Sequence, residues 1–195
     1  MRQAERREAT QAAIIAAAMR LFGTAGFAAV TVDEIAAAAG VAKGAVYHHF
    51  PSKEALFEAV FDQVSQELLV EVDRAARSEK DALAAMAKGT QAYFAACAKD
   101  ATGQIVLHDG PAVLGWERWR ELDTRHFGGR FPVALQRAMD DGLIARQPVE
   151  PLARLLLGAV TEVAIACSGR DLHKAGSDYA RAFHALLDAL RVKRT

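Results

Sequence analysis

A chain of 195 residues has room for one sizeable core or two small ones. With 52% apolar and 25% charged residues it has the balance of a folded globular protein, and no segment is polar enough to read as disordered. The formal charge is zero, so the whole chain gives no electrostatic pointer to a nucleic-acid partner, although residues 1–53 hold six basic against four acidic side chains, a mild bias of +2.

Cys97 and Cys167 stand apart in apolar surroundings without paired spacing, so neither a disulfide framework nor a zinc site is indicated, and a reducing cytoplasm fits best. The opening stretch MRQAERREATQAA has no apolar signal core behind it, and no apolar run approaches the roughly 20 residues that span a bilayer. A soluble cytoplasmic protein is expected, with no membrane partner.

Apolar residues recur at helical spacing almost throughout, which predicts an all-α fold. A first helix reads from about Arg6 to Thr24, with Ile14, Ala18, Leu21 and Phe22 on one face, and ends near Gly26. Thr31 with Glu34 three positions on is a capping-box pattern that starts a second helix, and Gly40 stops it after two turns. Val41 plugs the corner before a third short helix, from about Lys43 to Phe50. Ser52 caps a long fourth helix whose Phe57, Val60, Phe61, Val64 and Leu68 form one stripe, and this helix is expected to connect two domains.

Beyond Ser78 a fifth helix runs from Leu83 to Cys97, followed by a short glycine-bounded segment from Thr102 to Gly110. Pro111 opens a stretch toward Asp141, which Pro132 should kink or restart, and Gly142 closes it. Residues Leu152 to Cys167 are apolar nearly all round, and Tyr179, Phe183, Leu186, Leu187 and Leu190 make a stripe on the last helix. Such faces suit a subunit interface, with Leu156, Val160 and Val163 expected to join it, although packing within the monomer would explain the same pattern.

Residues 14–57 read IIAAAMRLFGTAGFAAVTVDEIAAAAGVAKGAVYHHFPSKEALF. The pairs Leu21-Phe22, Gly26-Phe27, Thr31-Val32, Ile35-Ala36 and Lys43-Gly44, with Ala39-Gly40-Val41, Tyr47, Phe50 and Ser52-Lys53-Glu54, closely resemble the N-terminal domain of TetR/AcrR-family transcriptional regulators. The resemblance runs over more than forty positions without a gap. It implies a helix-turn-helix head over residues 1–53 and a helical effector-binding and dimerisation domain over 54–195.

The resemblance also assigns roles. Lys43, Gly44, Tyr47 and His48 should face the major groove, and Thr31, Tyr47, His49 and Lys53 should meet phosphates. Ala45 stands where a phosphate-contacting Thr is common, and Ala42 where a Ser or Thr usually caps the reading helix. Two absent hydroxyls imply fewer backbone contacts and heavier reliance on Lys43 and Lys53. His48 and His49 are adjacent, so they diverge around the helix and argue against a shared metal; no metal or cofactor is expected.

In the second domain the candidate effector-pocket residues are Tyr93, Phe94, His108, Trp116, Trp119, Phe127 and Glu162, aromatics with a few polar handles. The family implies a homodimer on a palindromic operator of double-stranded DNA, a small-molecule effector of unknown identity and, by default, repression. The alternative is a DNA-binding dimer whose C-terminal domain holds a protein partner or no effector. An enzyme is not expected: Cys97, His108, Asp109 and His126 have suitable atoms, but no local spacing brings them together.

Overall fold

A computed structural model describes residues 3–166 and 170–192, and Cys167 lies outside them. The described residues are helical, with no strand among them and one isolated antiparallel bridge between Ile144 and Arg191. The first three helices are α1 (Gln3–Ala25), α2 (Val32–Ala39) and α3 (Lys43–His49).

Three boundaries in this part, both ends of α2 and the start of α4, have a local cause. The Thr31 hydroxyl accepts from the Glu34 amide at 3.3 Å while the Glu34 carboxylate accepts from the Thr31 amide at 2.7 Å, the expected capping box. Gly40 ends α2 at φ 69°, a left-handed conformation that a side chain would strain, and its N–H and that of Val41 reach back to α2 carbonyls. Ala42 gives α3 no side-chain cap. Ser52 accepts from the Ala55 amide at 3.1 Å and starts α4 (Lys53–Arg77).

The expected domain boundary at residue 53 thus falls at the start of α4, yet apolar packing continues across it. Phe22, Phe27 and Phe57 form a ring cluster with centroids 5.3–5.6 Å apart, so α4 is clamped to α1 and to the turn before α2. A second tie is polar: the Asp109 carboxylate accepts from the Phe27 amide at 2.7 Å and from Gln104 Nε2 at 3.1 Å.

After α5 (Ala82–Cys97) come α6 (Asp100–Gly103), a π-helical turn Gln104–Asp109, α7 (Gly110–Leu114), α8 (Trp116–Asp123) and a second π-helical turn Thr124–Gly128. The segment from Thr102 to Gly110 is therefore helical, not a break. Gly110 is needed for packing: an added Cβ would lie 2.8 Å from Trp119 Cδ1 and 3.1 Å from Phe61. Pro132 sits in the first turn of α9 (Arg130–Asp140), where its missing donor is tolerated, so the chain restarts there. The last helices are α10 (Val149–Ala166) and α11 (Arg170–Ala189), with α11 packed along α5. Arg191 closes this end by donating to both Asp81 oxygens, at 2.7 and 3.1 Å.

Candidate nucleic-acid interface and ligand cavity

The outer face of the first three helices is presented by α3. Val46 is buried, as are Ile35 and Phe50, so these three hold the helix to its neighbours. Tyr47 is 46% exposed, and Lys43, Gly44 and His48 are exposed beside it. Nothing lies within 4 Å of a Cβ built on Gly44, so that position leaves free space for close approach. A seven-residue helix standing proud of its support has the size to enter a major groove.

Three of the groups expected to face DNA already have partners within the chain. The Lys43 ammonium donates to Asp33 Oδ2 at 2.7 Å, and this carboxylate holds its pKa above the usual lysine range. Lys53 lies over the Phe27 ring, 4.1 Å from its centroid. The Thr31 hydroxyl belongs to the capping box and donates to Glu34 Oε2 at 2.8 Å. Burial lowers the pKa of half-buried His49, helped by His48 and Arg7, so near neutral pH His49 offers a ring N–H and not a full charge. Exposed ion pairs of the Lys43–Asp33 kind contribute little and exchange readily.

A cavity of about 400 Å³ opens in the body, walled by α4, α5, α9, α10 and the second π-helical turn. Small side chains make the space: Ala76, Ala82, Ala85, Gly89 and Ala134 line it, with Met86, Phe131 and Leu157 completing apolar walls. Of the expected pocket residues, Tyr93 and Phe127 line it and meet edge to face with centroids 5.5 Å apart.

The other five residues expected at a pocket do not line this cavity. Phe94 turns away from the cavity because neighbouring helix positions diverge by about 100°. Trp119 is fully buried against Gly110 and donates from Nε1 to the Val106 carbonyl at 2.9 Å, which makes it core. Trp116 is 52% exposed and stacked on Trp119, while His108 and Glu162 are exposed away from the cavity.

Sequence reasoning missed the polar part of the wall. Asp73 of α4 accepts from Arg130 Nε and Nη2, both at 2.9 Å, and this guanidinium holds the Asp73 carboxyl below the usual range. Asp123 is 5% exposed, and burial raises its pKa to about 6 against weaker opposing effects of Arg120 and His126. Cys97, also buried, is pushed up to about 12 and is a poor nucleophile.

The expected interface residues divide. Leu156, Val160, Phe183 and Leu187 are buried in the chain's own core and have no free surface to offer a partner. Val163 and Leu190 are half-buried, Tyr179 and Leu186 are exposed, and Leu155, which the pattern did not single out, is 71% exposed on α10. Among the described residues no helix is long and apolar enough to cross a membrane, and no group of three His, Cys, Asp or Glu is placed to hold a metal ion.

Comparisons with known proteins agree with this layout. Residues 14–60 match the family described as bacterial regulatory proteins, tetR family, and residues 83–190 match the tetracyclin repressor-like C-terminal domain. A solved TetR-family transcriptional regulator from Pectobacterium atrosepticum superposes with TM-score 0.86 at 28% identity, covering 100% of both chains. The Transposon Tn10 TetC protein of Escherichia coli is 24% identical over 166 residues, 84% of this chain and 82% of that protein. The HTH-type transcriptional regulator EthR of Mycolicibacterium smegmatis is 35% identical over 85 residues, 43% of this chain and 39% of that protein.

Proposed function

The chain belongs to the tetR family of bacterial regulatory proteins, and on that premise we propose that it is a homodimeric repressor that leaves a palindromic operator when a small molecule fills the body cavity. It is a DNA-binding transcriptional regulator; repression, symmetry and effector release are the proposal. Residues 1–53 are the reading unit and 54–195 the effector and dimer unit.

The observation that carries the reading is the span of α4. Its first half holds Phe57 and Phe61 in the core beneath the head, and its second half supplies Val72, Asp73 and Ala76 to the cavity wall. Twenty-five residues of α-helix form a lever of roughly 37 Å. A ligand that wedges the cavity therefore acts on the rod that positions α3. Two reading helices fit successive major grooves only when they sit about 34–36 Å apart or at a multiple of that, so a small swing of α4 breaks the match. The ligand shifts this balance only by its differential affinity for the swung form.

Lys53 then exchanges Phe27 for phosphate, and Lys43, released from Asp33, meets the groove with Tyr47 and His48. Leu155, Tyr179 and Leu186 supply an apolar surface for the second subunit. The cavity favours an effector over a closed, partner-only body.

Selection of random duplex DNA by the purified protein tests the reading: a recovered palindrome is expected, with Lys43→Ala and Tyr47→Ala each weakening its binding about tenfold or more. Selection retained by both variants would place the reading face elsewhere, and a non-palindromic site would remove the symmetric dimer.

A further inference from the structure

Resting on the reading of the cavity as the effector site, we infer that its effector class is a lipophilic organic cation, an apolar body bearing a protonated amine that pairs with the Asp123 carboxylate. The argument is a charge count around the wall. Asp73 is neutralised by the two-pronged Arg130 contact, and Arg130 also donates from Nη1 to the His126 carbonyl at 2.8 Å, so each nitrogen of that guanidinium already has a partner within the chain and its charge is matched by Asp73. Arg137 lies 3.6 Å from Asp141. Asp123 alone among the charged wall residues makes no hydrogen bond or ion pair with the described residues, and it is 95% enclosed.

A buried carboxylate without a partner is costly, and a ligand cation removes that cost while a ligand carboxylate compounds it. Two basic groups act on Asp123 from a distance: Arg120, which is exposed and lies over Trp116, and His126, whose Nε2 is 2.9 Å from Asp62. From α5 it faces Tyr93 and Cys97, both protonated at neutral pH because burial raises them. Apolar walls from Met86, Phe127, Phe131 and Leu157 take the body of the molecule, and Thr90 and Thr161 add hydroxyl-bearing side chains to the wall.

The test uses matched triads of an amine, an alcohol and a carboxylic acid on one apolar body, in phenylbutyl, naphthylmethyl and decyl series, titrated calorimetrically into the full-length protein without DNA. Each bound amine should exceed its alcohol and acid by about tenfold or more, the scale of a charge-assisted contact. Asp123→Asn should erase that preference. Ala134→Trp, which fills the cavity, should remove all binding. In the wild-type chain amine affinity should fall by roughly tenfold as pH drops one unit below the Asp123 pKa of about 6, with no matching fall for the alcohol. This last measurement is made on the wild-type chain, so it stands even where a variant does not fold.

Acid binding as tight as amine, an amine preference that survives Asp123→Asn, or no amine binding in any series overturns the inference. Operator release, followed by fluorescence anisotropy, is scored separately. Amine binding without release sinks the effector reading and leaves the cation site standing. Release by alcohols with no amine preference does the reverse.

Discussion

The reading head and the effector cavity differ in how far apart their determinants lie. In the head, Thr31 is fixed by Glu34, Ser52 by Ala55, and Gly40 by carbonyls at positions 36 and 37. Around the cavity, Val72 of α4 faces the same space as Asp123, Phe131 and Thr161. A local device needs a residue type at a spacing, whereas a cavity needs helices distant in sequence to leave room between them. The head is therefore dictated a few residues at a time, and the cavity depends on the packing around it.

The largest expected effect tests that dependence. Trp119→Ala, at a fully buried site where Gly110 presses on the ring, should destabilise the chain by about 3–5 kcal/mol in denaturant unfolding and loosen the wall that α8 supports. A loss under about 1 kcal/mol would show that the body repacks freely and would break the comparison.

Asp123→Asn should have a smaller effect of opposite sign that depends on pH. The native carboxyl titrates near 6 against a reference of 3.8, so the folded form holds its proton more tightly; that stabilisation is full below the reference value and lost as pH rises through about 6. At about pH 8 the variant should exceed the wild type by about 1–3 kcal/mol, and the advantage should shrink below about pH 4. An advantage independent of pH would mean that Asp123 is partnered in solution.

The smallest effect lies in the head. Ala42→Ser restores the side-chain cap that α3 lacks and should add about 1 kcal/mol of stability, measured by thermal unfolding, with somewhat tighter operator binding by anisotropy. No gain in either would show that the uncapped start of α3 is already satisfied.

Tyr93 and Phe127 are legible in the sequence as aromatics on helical faces, and the cavity uses both. Trp119 carries the same signal and is core, because aromatic periodicity marks a buried face without saying whether that face meets a void or another ring. Asp123 is illegible in the run ERWRELDTRH, where any acid reads as a solvated charge. Its enclosure, with Tyr93 and Cys97 of α5 facing it, exists only in the folded chain. The apolar pattern of α10 and α11 likewise marks burial without saying against what, and half of the expected interface residues face the chain's own core.

By itself the sequence determines the all-α architecture, the start and stop of α2, the start of α4 and the residues exposed on α3, since caps, a left-handed glycine and helical periodicity act over a few positions. Tertiary structure alone decided that Lys43 and Lys53 are held by Asp33 and Phe27, and that the cavity keeps one unmatched carboxylate. The physical reason is that charge pairing and enclosed volume belong to neighbours in space, which no local pattern records.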